Sequence, residues 1–97
     1  IRNEDIRAIT AVLAHELRHF EDYLNNRLSN GSGACLAAEN RAVQREAETW
    51  VVLVGDEAIQ RTSGVLARIE SRRAEIYASG KEKLRLFVNR LYRKACL

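Results

Sequence analysis

The sequence has no proline, no methionine, only two cysteines and two histidines, and few aromatics: one Trp, three Tyr and two Phe. Each shortage excludes something. Without proline, nothing of that kind interrupts a helix. Two cysteines, Cys35 and Cys96, cannot build the disulfide framework of a small secreted domain, although one bridge between them stays open. The aromatics are not interleaved with the basic residues, so no stacking platform for bases is present. A net charge of +3, with a mild basic excess after Arg61, then reads as solvated helix faces, and no nucleic-acid partner is expected. No apolar run approaches the roughly 20 residues that cross a bilayer, and no secretory signal pattern occurs, so no membrane partner is expected; the compartment stays open, with the cytoplasm slightly favoured. A chain that opens on Ile1 without any Met reads as a fragment or a processed product.

What remains is 97 residues, 46% hydrophobic and 30% charged. That is the balance of one soluble globular domain with a modest core. Ala, Leu, Glu and Arg dominate and favour helix throughout. Asn3, followed by Glu4 and Asp5, marks a helix start. Ile6, Ile9, Leu13, Leu17, Phe20, Leu24 and Leu28 recur at three- and four-residue spacing, which predicts a long amphipathic helix. It stops in Ser29-Asn30-Gly31-Ser32-Gly33. A second helix is predicted from about Ala34 to Val54, with the β-branched stretch at Val51 to Val54 a frayed end or a short strand. Gly55-Asp56 reads as a C-cap followed by an N-cap. A third helix runs on to about Ser79, with Ile59, Val65, Leu66, Ile69 and Ile76 as its apolar positions; Gly64 weakens it. A fourth begins near Lys81 and carries Leu84, Phe87, Val88, Leu91 and Tyr92 inward. The expected fold is all-α, a compact bundle of about four helices.

On the first helix, His15-Glu16-Leu17-Arg18-His19 is an HExxH motif. Residues four apart lie one turn apart on the same face, so two imidazoles there can grip one zinc ion at about 2.0–2.1 Å each. The glutamate beside the first histidine can then take a proton from a water at the metal and deliver it to a leaving amine. At roughly 100° per residue the apolar stripe centres on Leu13, Leu24 and Ile6. His15 and His19 lie on a separate face with Asp22 and Asn26, flanked by Ala8 and Ala11, and Glu16 falls between the two. That is the layout of a metal cleft beside a core. The ordinary alternative is a surface His pair that holds nothing.

Two histidines seldom hold catalytic zinc alone. No third histidine exists, so a carboxylate must complete the set. On the second helix Glu39 and Glu46 lie amid an apolar face of Cys35, Ala42, Val43, Trp50, Leu53 and Val54. Carboxylates buried there need a cation. Glu39 is the favoured ligand and Glu46 the favoured partner of a ligating histidine; for each, a buried salt bridge to Arg7 or Arg18 is the alternative. Asp22, one turn beyond His19, is a rival ligand, an outer-sphere partner, or a solvated acid.

These residues resemble the gluzincin zinc metallopeptidases. In the thermolysin-like branch a glutamate ligand follows HExxH after nineteen residues, and nineteen residues separate His19 from Glu39 here. The resemblance implies His15, His19 and Glu39 as zinc ligands, Glu16 as general base, and a peptide or protein substrate. Cys35 to Ala42, with Trp50 after it, also resembles small bacterial metallopeptidase-like domains. Three features depart from the pattern. Val43 stands where that branch has an aspartate, and no edge strand precedes the motif to dock a peptide. No histidine remains to stabilise an oxyanion; Tyr23, Tyr77, Tyr92 or an arginine is left for that role. The readings carried forward are a zinc hydrolase, a non-catalytic metal-binding helical domain, and a helical interaction module in which HExxH is accidental.

Overall fold

The computed structural model describes residues 3–25, 31–58 and 64–96. Four helices form it: α1 (Asn3–Leu24), α2 (Ser32–Ala58), α3 (Val65–Ala78) and α4 (Lys81–Tyr92). The all-helical bundle expected from composition is present. α2 is the central element, against which α1, α3 and α4 all pack. Its Val51 to Val54 stretch is helical, and the break comes at Gly55, whose φ of 69° is open to glycine and strained for most other residues. Gly64 does not interrupt the third helix but starts it, as the extended N-cap of α3. Leu28 and Ile59 lie outside the described residues.

The packing inverts the expected facing of α1. Ala8, Ala11, His15 and Asp22 are buried, whereas Ile6, Ile9, Leu13, Leu17, Phe20 and Leu24 are exposed. The stripe predicted to adjoin the core therefore points outward, and the alanine-histidine face lies on α2. Short side chains explain the choice: Ala8 and Ala11 let α1 approach closely enough to pack against Trp50, Ala67 and Ala74. The same inversion occurs in α3, where Ala67, Glu70, Ser71 and Ala74 are buried while Val65, Leu66 and Ile69 are exposed. A second cluster joins Val43 of α2 to Leu84 and Val88 of α4, with Phe87 and Tyr92 packed beside them as expected; Leu91 is exposed instead.

Cys35 and Cys96 form a disulfide that ties the start of α2 to the turn after α4 across 61 residues. A loop of that length restricts the unfolded chain by about 4 kcal/mol. Among the described residues, no helix is long and apolar enough to cross a membrane.

Candidate metal centre

The i, i+4 spacing on α1 turns both histidine rings toward α2, where Glu39 meets them. His19 Nε2 lies 2.7 Å from Glu39 Oε1 and His15 Nε2 lies 3.2 Å from Glu39 Oε2. One ligand atom from each of these three residues falls within 4.8 Å of the others. Two ligands held at zinc distances around a tetrahedron stand about 3.3 Å apart, so these three groups are near enough to converge on one small cation with modest side-chain adjustment.

His15 Nδ1 donates to Glu46 Oε1 at 2.7 Å. A neutral ring that spends its proton there presents a lone pair at Nε2, facing a carboxylate oxygen. That oxygen, Glu39 Oε2, is buried and accepts no hydrogen bond. Two acceptors face each other, and only a second proton or a metal ion reconciles them. Burial alone would lower the His15 pKa, but the hydrogen bond and charge of Glu46, with the charges of Glu39 and Glu16, outweigh it and raise the value. A metal ion would take that proton's place.

Glu46 is fully buried, and the cation it needs comes from α3. Arg73 Nη1 donates to both Glu46 oxygens, at 2.8 and 2.7 Å. The salt bridge weighed as an alternative for Glu46 is therefore present, made by Arg73 rather than by Arg7 or Arg18. Burial opposes the Glu46 anion, yet hydrogen bonds from His15 and Glu70 and the charges of Arg73 and His15 pull its pKa down. Glu70 supplies the proton between the two carboxyls: burial, then its bond to Glu46 and the Glu46 charge, push its pKa up to about 9. Glu46 thus orients His15, the role given in many metal sites to a carboxylate behind a ligating histidine.

Asp22 is buried rather than solvated. Arg41 Nε donates to its Oδ2 at 3.0 Å, and Arg18 stands 3.5 Å from Oδ1. It joins α1 to α2 and lies outside the His15, His19 and Glu39 cluster. Glu16 is exposed at the margin of the histidine face. Of the three tyrosines, Tyr23 is largely exposed and Tyr77 donates to Glu48 at 3.0 Å. Tyr92 is the one beside the cluster, its ring centroid 6.2 Å from that of His15. Burial, partly offset by Arg73 and reinforced by Glu39 and Glu46, pushes its pKa up to about 12.

Sequence reasoning missed Arg73 and Glu70. The signal available was the run of small residues around them, Ala67, Ser71 and Ala74, the same small-residue framing that surrounds His15 on α1. No known protein family, curated protein or solved structure matches this chain.

Proposed function

We propose that this chain is a zinc-dependent, metallopeptidase-like hydrolase, with His15, His19 and Glu39 as ligands. The carrying observation is the pairing of two histidine nitrogens with the two oxygens of one half-buried carboxylate, one of which has no hydrogen-bond partner. Zinc held there supplies a Lewis acid for a substrate carbonyl and lowers the pKa of a water to about 7. Glu16, exposed and next to His15, takes the proton from the attacking water and passes it to the leaving amine. Tyr92 keeps its phenolic proton at neutral pH and donates it as a hydrogen bond to the developing oxyanion. Side-chain exposures of 23% at His19 and 17% at Glu39 favour a substrate-accessible position over a closed structural site. The Cys35–Cys96 bond favours an oxidising compartment over the cytoplasm.

Glu16→Gln tests the reading. It is expected to keep the metal and lower peptide hydrolysis by roughly 10²- to 10⁴-fold. Unchanged turnover would remove Glu16 from the mechanism. Stoichiometric zinc with no turnover by the unaltered chain, on any peptide library, would leave the non-catalytic metal-binding domain as the better description.

A further inference from the structure

The outward stripe of α1 is the largest departure from ordinary packing in this molecule. Ile6, Ile9, Leu13, Leu17, Phe20 and Leu24 are each between 47% and 63% exposed. Together they leave on the order of 700 Å² uncovered, within the range each partner of a standard stable interface buries and more than an ordinary monomer's largest apolar patch. We infer that this face pairs with the same face of a second copy of the chain, α1 against α1 in antiparallel fashion about a two-fold axis.

The stripe is self-complementary in the way an isologous contact requires. It carries a depression of about 250 Å³ lined by Ala8, Ile9, Val12 and Leu13 of α1 with Leu66 and Glu70 of α3. It also carries a projecting ring, Phe20. An axis crossing at the level of residue 15, the midpoint between Ile6 and Leu24, sets Leu13 of each copy opposite Leu17 of the other. The same axis sets Phe20 opposite Thr10, at the level of the depression along α1, and sets Ile6 opposite Leu24. One axis therefore centres the stripe and joins ring to depression twice. Glu16 stands at the margin of the stripe toward the histidines and remains at the rim of this pairing. The inference is independent of the metal, since only mass reads it.

The test is sedimentation equilibrium of the metal-free 97-residue chain from about 1 to about 200 µM, where a reversible dimer shifts by mass action. The expected result is a limiting mass of two 11.0 kDa chains. Leu13→Glu places an unpaired charge at the centre of the seam and is expected to weaken pairing by at least about a hundredfold. Phe20→Ala empties the depression and is expected to weaken it by about tenfold or more. Both residues are exposed in the single chain, so helicity by circular dichroism should be unchanged. A monomer throughout the range overturns the proposal, whatever other partner the stripe then has. So does an open-ended assembly, or a dimer indifferent to both substitutions.

Discussion

The two long faces of α1 are built on opposite principles. One is small and polar, with Ala8, Ala11, His15 and Asp22, and it is buried; the other is large and apolar, and it is exposed. Hydropathy alone assigns them the other way round. The buried face prevails because each polar group on it has a counterpart on the facing helix. His15 meets Glu39 and Glu46, Asp22 meets Arg41, and the alanines leave room for Trp50. Polar burial is tolerable when every charge is answered, and close approach depends on side-chain size rather than greasiness. The lesson extends to α3, whose buried face of Ala67, Glu70, Ser71 and Ala74 follows the same rule.

Substitutions that unbalance the two faces sharpen this comparison. The largest effect is expected from Arg73→Met, which strips the fully buried Glu46 of its guanidinium and should cost about 3 kcal/mol in urea unfolding. A loss below about 0.5 kcal/mol would mean that the buried charges are not what holds this face together. Next is Ala11→Leu. Ala11 has no exposed surface, and a larger side chain there should cost about 2 kcal/mol through overpacking. Leu13→Gln on the opposite face, measured at a concentration where the chain is monomeric, should stay within about 0.5 kcal/mol. Equal losses from these two would erase the distinction between the faces.

The same buried face also predicts a pH dependence. Folding raises the Glu70 pKa to about 9, so between its ordinary value of 4.5 and that point the folded chain holds a proton that the unfolded chain has released. Stability from this group therefore falls as pH rises through the window. Glu70→Gln keeps a donor for Glu46 but does not titrate, and so removes the dependence. The melting temperature of that variant relative to the unaltered chain should climb from about pH 5 to about pH 8. A constant gap would mean that Glu70 is already ionised in the folded state.

Much of the centre was legible in the sequence because its determinants are local. HExxH spacing places two rings on one helix face, and the position of Glu39 on the next helix follows from a short connection. Four helices followed from composition and from glycines at the breaks. The facing of α1 was not legible, because it depends on what α2 and α3 present, and no local period encodes that. Arg73 and Glu70 were hidden for the same reason: they reach Glu46 from a separate helix, well further along the chain. The pairing of Cys35 with Cys96 depended on where the turn after α4 ends.

The central claim is that His15, His19 and Glu39 form one cation site, and calorimetric titration of the metal-free chain with zinc tests it most directly. One ion per chain is expected to bind at micromolar affinity or tighter, weakened by at least about a hundredfold in Glu39→Gln and released on acidification as His15 gains a proton. Absence of zinc binding at micromolar concentration, or binding that Glu39→Gln leaves intact, would contradict it.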